Sequence, residues 1–400
     1  MKINRNITQA SSMPIALLCV LMLLASCTTM PTDAPDTSRK LVLAEQGYFF
    51  VGGRYTRTKD GEIHVGQMYV QYQIPEHRTQ PYPVVMWHGG GQTGTNFMGT
   101  PDGRKGWGDY FLQRGYAVYI VDQPGRARSG FFTDVYGATR RPNTGAMSSR
   151  FTAPEKGNLY PQAKFHSQWP GSGVPGDETF DQFFASQVED IRDLNVIEQM
   201  NRDAGVALLD RIGPAILLTH SQSGPFGWGL ADSRPNLVKG ILAIEPNGPP
   251  FYENTIVGEA KGWFQDGSMG RAWGITRNRL TYSPAIEDPK DLRMTRENAP
   301  AGPDLVRCWL PAQPAPQLTN LKGIPILIVV SEASYHAPYD HCTSQYLKNA
   351  GVANDFVRLT DLHIHGNGHM MMLEKNNLEI AAFLDKWARE HIRAPSPTGR

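Results

Sequence analysis

The stretch "ILLTHSQSGPFGWG", Ile216 to Gly229, decides how this chain is read. An apolar run ends at Thr219-His220-Ser221 and passes at once into small residues and glycines. A strand that turns directly into a helix leaves little room at the turn, so both flanks must be small. A serine at the apex then stands clear of the sheet edge, where it can act as a nucleophile. Centred on Ser221, the pattern G-x-S-x-G is kept in size but not in identity, because its flanks are Thr219 and Ser223. Centred on Ser223, Pro225 falls in the first helical turn, where its missing N–H costs nothing.

Working outward, short and nearly unbroken apolar runs recur at 83–87, 116–121, 214–219, 238–244 and 325–330. Such runs fit strands buried on both faces of a parallel sheet. Phe180, Phe184, Val188, Ile191 and Leu194 keep helical spacing ahead of the third run, and Leu378, Ala382 and Trp387 mark a last helix. Strand alternating with helix predicts a doubly wound α/β sheet. Ahead of it, "KLVLAEQGYFFVGGRYTR" and "HVGQMYVQYQIPE" alternate apolar and polar residues, as an antiparallel pair does. Two stretches break the rhythm, at about 129–177 and 249–321, rich in Gly, Pro and aromatics. Long irregular insertions in a compact domain serve as lids or binding loops, so both read as a cap over one domain spanning 40–391, with 392–400 a tail.

The chain has 400 residues, a formal net charge of +1 and 19% charged residues. There is no basic excess, so no nucleic-acid partner is expected. Lys2 and Arg5 precede an apolar stretch too short to span a bilayer. Leu24-Ala25-Ser26-Cys27 resembles the bacterial lipoprotein cleavage box. Residues 1–26 therefore read as a signal peptide, Cys27 as the lipidated first residue and 27–39 as a polar tether. The expected location is the cell envelope of a bacterium, held to a membrane by that lipid. Cys308 and Cys342 remain in an exported chain and are candidates for a disulfide. No cysteine or histidine cluster reads as a metal site, and no cofactor is expected.

In open α/β sheets ligands bind beyond the carboxyl ends of the strands, and four such ends here are chemically loaded. "VVMWHGGGQTG" places Gly89, Gly90 and Gly91 after a buried strand, where amides can turn toward a developing oxyanion. The second end is the opening stretch. "GILAIEPNGPP" ends a buried strand at Glu245, a carboxylate able to orient an imidazole. The following strand offers rivals, Glu332 and Asp340, in "VVSEASYHAPYD", so the acid stays open on these grounds. "LTDLHIHGNGHMMMLE" carries His363, His365 and His369. The first two alternate with apolar residues, as in an extended segment, and His369 sits in a glycine-framed loop before a helix. His369 is the expected general base.

His220-Ser221-Gln222 matches the core of many lipases and esterases, which favours Ser221 over Ser223. The order nucleophile, acid, histidine is that of the α/β-hydrolase fold, and the sequence resembles that superfamily over residues 40–391. It is most similar to a small group of bacterial serine esterases with an His-Ser-Gln-Ser-Gly elbow, an His-Gly loop and a glutamate as the triad acid. The resemblance implies Ser221, His369 and Glu245 as the triad. It implies carboxylic ester hydrolysis through an acyl-enzyme, with a small-molecule ester as substrate. The amides of Gly90 and Gln222 are the expected oxyanion hole. Amidase, peptidase, acyltransferase and a non-catalytic binding lipoprotein are the alternatives on the same fold.

Overall fold

In the computed structural model, residues 1 and 40–394 are described. The signal peptide, Cys27, the tether and most of the tail lie outside them. An eight-stranded sheet carries the fold, with strands β1 (Leu43–Thr58), β2 (Gly61–Pro75), β3 (Val84–Trp87), β4 (Val118–Asp122), β5 (Ala215–His220), β6 (Val238–Ile244), β7 (Ile326–Val330) and β8 (Asp355–Arg358). Their spatial order is β1-β2-β4-β3-β5-β6-β7-β8. β1 and β2 pair antiparallel, and β2 runs antiparallel to β4. From β4 to β8 every pairing is parallel.

Alternation along the central strands explains why their apolar runs are unbroken. Val84, Met86, Ile216, Leu218, Leu242, Ile244, Leu327 and Val329 face one core. Their neighbours Val85, Trp87, Leu217, Ile241, Ala243 and Ile328 face the other. Helices α1 (Trp107–Gln113) and α5 (Asn377–His391) cover the first face, through Phe111, Ile380 and Leu384. Helices α2 (Leu194–Ile212), α3 (Gly224–Ser233) and α4 (Asp340–Asn349) cover the second, through Leu208, Trp228 and Leu347. A sheet dry on both faces needs apolar side chains in both directions.

Three expectations are corrected. The helical spacing from Phe180 to Leu194 does not mark one helix. A short helix, Glu178–Ala185, stops there, and Asp190–Ile191 pair with Thr139–Arg140 as a small antiparallel ladder. The long helix begins only where the Asp193 side chain accepts from the amides of Asn195 and Val196, an N-cap that fixes its start. The stretch holding His363 and His365 is not extended. It turns through a 3-10 helix, Leu359–Leu362, with His363 left-handed at its end. Residues 249–321 are not irregular throughout: Phe251–Gly258 pairs with Trp263–Arg271, and Met294–Arg296 with Trp309–Pro311. Cys308 in that segment is joined to Cys342 in α4 by a disulfide.

Candidate functional site

Register places the chemical groups. His220 at the end of β5 pairs with Ile244 at the end of β6, so Ser221 and Glu245 leave the sheet side by side. Both have positive φ, 55° and 43°, a region that non-glycine residues occupy at a cost and that concentrates at functional sites. The helix following Ser221 approaches closely: a Cβ on Gly224 would come 2.4 Å from Pro246 Cβ. On the other side a Cβ on Gly89 would sit 3.0 Å from Ser221 Cβ. Only glycine fits at Gly224, and Gly89 leaves a side chain almost no room.

The two candidate serines have different surroundings. Ser223 is fully buried; its Oγ accepts from the His220 amide at 2.8 Å and contacts the Trp87 carbonyl at 2.8 Å. It fastens β3 to the elbow. Ser221 lines a cavity of about 630 Å³ together with Gly90, Gln222, Phe151 and Tyr335.

His369 follows the loop after β8. Its Nδ1 lies 2.5 Å from Glu245 Oε2, and its Nε2 lies 3.4 Å from the Tyr335 hydroxyl. Tyr335 and Ser221 both line the cavity. Aromatic rings enclose the imidazole: Phe151 stacks on it at 5.1 Å, His336 at 4.6 Å, and His220 tilts against it at 4.5 Å. His220 Nε2 donates to the His369 carbonyl at 3.0 Å, which fixes the loop. Burial, with His336 and Arg150 nearby, holds the His369 imidazole well below the ordinary histidine value. It is therefore an unprotonated base at neutral pH.

Glu245 is buried and fully partnered. Oε1 accepts from the Ser331 amide at 2.8 Å and the Ser331 hydroxyl at 2.5 Å, and Oε2 from the Ser334 hydroxyl at 2.6 Å. Burial pushes its carboxyl up, and the Ser331 and Ser334 donors pull it back toward the ionised form. Glu245, His336 and His369 hold ligand atoms within 4.8 Å of one another. Both Glu245 oxygens are nevertheless committed to these donors and to His369.

The rival acids stand elsewhere. Glu332 accepts from the Gly366 amide at 2.8 Å and reaches His365 at 3.3 Å near the surface. Asp340 Oδ1 lies 2.9 Å from His336 Nδ1, in a second buried pair. In the glycine loop the His88 ring is spent on structure: Nε2 accepts from the Gln123 amide at 3.1 Å, and Nδ1 donates to the Gly89 carbonyl at 2.9 Å. The Gly90 amide has no acceptor among the described residues. The Gln222 side chain is clamped by Arg126 at 2.7 Å and Asp190 at 3.2 Å, which leaves its backbone at the cavity wall.

Tyr335, Ser331, Ser334, Arg126 and Asp190 were not foreseen. Ser331, Ser334 and Tyr335 share one local signal, since all three follow a strand end in the same loop as Glu332.

The chain matches the Alpha/beta hydrolase family over residues 84–383. It belongs to that family. It is 42% identical over 379 residues to "Probable secreted lipase phiG" of a fungal species (strain ATCC 74256), covering 94% of this chain and 98% of that protein. The solved structure of a novel bacterial esterase is similar in fold, with a TM-score of 0.57 and 24% identity over 89% of this chain and 98% of that one. That likeness is one of fold. No helix among the described residues is long and apolar enough to cross a membrane.

Proposed function

We propose that the protein is a serine hydrolase of carboxylic esters. The observation that carries the reading is the contact of His369 Nδ1 with Glu245 at 2.5 Å, with Ser221 at a strained elbow on the neighbouring strand end. The lipase relative, similar over nearly the whole chain, supports the ester as substrate.

Ser221 Oγ attacks the ester carbonyl while His369 Nε2 takes its proton. Glu245 accepts the Nδ1–H, which keeps Nε2 free as the base and stabilises the imidazolium that forms. The amides of Gly90 and Gln222 donate to the oxyanion. Collapse breaks the C–O bond, and His369 returns the proton to the leaving alcohol. Water, deprotonated by His369, then attacks the acyl-enzyme and frees the acid. Residues of 129–177 and 249–321 wall the cavity and act as its cap.

The fungal relative's name includes "secreted", in keeping with export of this chain. We extend this to a lipid anchor on Cys27, tested by Cys27→Ser: membrane-bound protein becomes soluble and loses lipid label. For the nucleophile, Ser221→Ala abolishes turnover of p-nitrophenyl butyrate with the melting temperature retained, and Ser223→Ala weakens the fold. Turnover lost only in Ser223→Ala overturns the assignment. Equal turnover of the matching anilide would favour an amidase.

A further inference from the structure

Guanidinium groups crowd the cavity. Arg140, Arg141, Arg150 and Arg277 line it, against the carboxylates of Asp190 and Glu253. Neither carboxylate is spare. Asp190 is shared by Arg126, which is buried, and Arg140, whose Nη2 is 2.7 Å away. Glu253 is shared by Arg271 at 3.0 Å and Arg277 at 2.6 Å. Arg141 turns outward to Glu189. Glu198, beside Arg277, accepts the backbone amides of Arg277 and Asn278, and burial pushes its carboxyl up to about 7. Each cavity carboxylate thus answers two guanidiniums.

Arg150 is left over. It has no carboxylate partner among the described residues and lies over the Tyr335 ring, 5.7 Å from the centroid. An exposed arginine is ordinarily just solvated. This one is set by a π-helical turn, Ser148–Thr152, a rare local geometry that recurs at functional sites. The next residue, Phe151, stacks on His369. The ring beneath Arg150 carries the hydroxyl that touches His369 Nε2. The unpaired cation therefore stands about one aromatic ring from the reacting atoms, inside a cavity that already has more guanidinium than carboxylate.

We infer that the substrate carries a free carboxylate besides its ester, and that Arg150 holds it. This rests on the ester-hydrolase reading above. A planar guanidinium matches a carboxylate through two parallel N–H bonds, and one unpaired guanidinium matches a single negative charge. With Arg126, Arg140, Arg271 and Arg277 only half neutralised, the field of the cavity favours an anion and opposes a cation.

The test compares two p-nitrophenyl esters of equal chain length, the glutarate half-ester and an uncharged alkanoate. Wild-type kcat/KM favours the half-ester by about tenfold or more. In Arg150→Gln the ratio falls to near one, and Arg150→Lys gives an intermediate value. A wild-type ratio of one or below, or a ratio unmoved by Arg150→Gln, overturns the inference while leaving the esterase intact. Failure to turn over either ester counts instead against the ester-hydrolase reading. Calorimetry of monoethyl glutarate with Ser221→Ala protein, with and without Arg150→Gln, needs no turnover. Binding weakened about tenfold or more by Arg150→Gln supports the site; equal binding, or none to either protein, overturns it.

Discussion

Two histidine–carboxylate pairs lie against each other in this molecule, and they are opposite in kind. His336 stacks on His369 at 4.6 Å, yet each imidazole has its own acid, Asp340 and Glu245. Glu245 accepts from Ser331 twice and from Ser334 before it meets His369. Among the described residues Asp340 has no donor beyond His336, and its second oxygen is buried without a partner. Burial, with the charge of Glu245, pushes the Asp340 carboxyl well above the usual range. Burial also lowers His336 to about 4. Both shifts favour the uncharged forms, and the pair acts as packing. A buried carboxylate beside a histidine keeps its charge only where other donors meet it, and this is the reason Glu245 rather than Asp340 is proposed as the acid.

The largest effect that would sharpen this contrast is expected at Glu245. Glu245→Gln puts an amide N–H against groups that already donate, and lowers kcat by roughly two to four orders of magnitude, with less change in KM. Steady-state kinetics on one activated ester reads both. Tyr335→Phe, which removes the hydroxyl that meets His369 Nε2, costs about tenfold in kcat, the value of one hydrogen bond. Asp340→Asn replaces a carboxyl biased toward its uncharged form by a close isostere, so kcat stays within about threefold on the same assay. If it proves more damaging than Glu245→Gln, the contrast is drawn the wrong way round.

A third histidine gives a pH-dependent test. Burial lowers His166, but Glu155 and Glu374, each at 2.9 Å, outweigh it and raise the imidazole to about 9. Glu374 also accepts from the Gly368 amide, next to His369. With the folded value above the unfolded one, of about 6.5, this stability is complete below that pH and is lost as pH rises through about 9. Melting temperatures of the wild type should fall over that window, and those of His166→Gln should fall less.

Much of this was legible because the physics acts locally. Central strands buried on both faces must be apolar throughout, and a serine elbow needs small neighbours, so β3 to β7 and Ser221 stand out in the sequence. Strand β8 did not, since Asp355–Arg358 is half-exposed and polar at both ends. The hairpin of Phe251–Gly258 and Trp263–Arg271 was illegible for the same reason, being open to solvent on much of its surface. Glu245 could not be separated from Asp340 by residues alone. What distinguishes them is the set of donors from Ser331 and Ser334, 86 and 89 positions away in the chain. The Arg126–Asp190 clamp on Gln222 likewise joins residues with no shared local pattern.

The central claim is that Ser221, activated by His369 and Glu245, is the nucleophile. Treatment with a fluorophosphonate, followed by peptide mass spectrometry, tests it directly. One adduct is expected, on Ser221, that is lost in Ser221→Ala and forms far more slowly in Glu245→Gln. An adduct on Ser223 or any other residue, or labelling of Ser221 at an unchanged rate in Glu245→Gln, would contradict it.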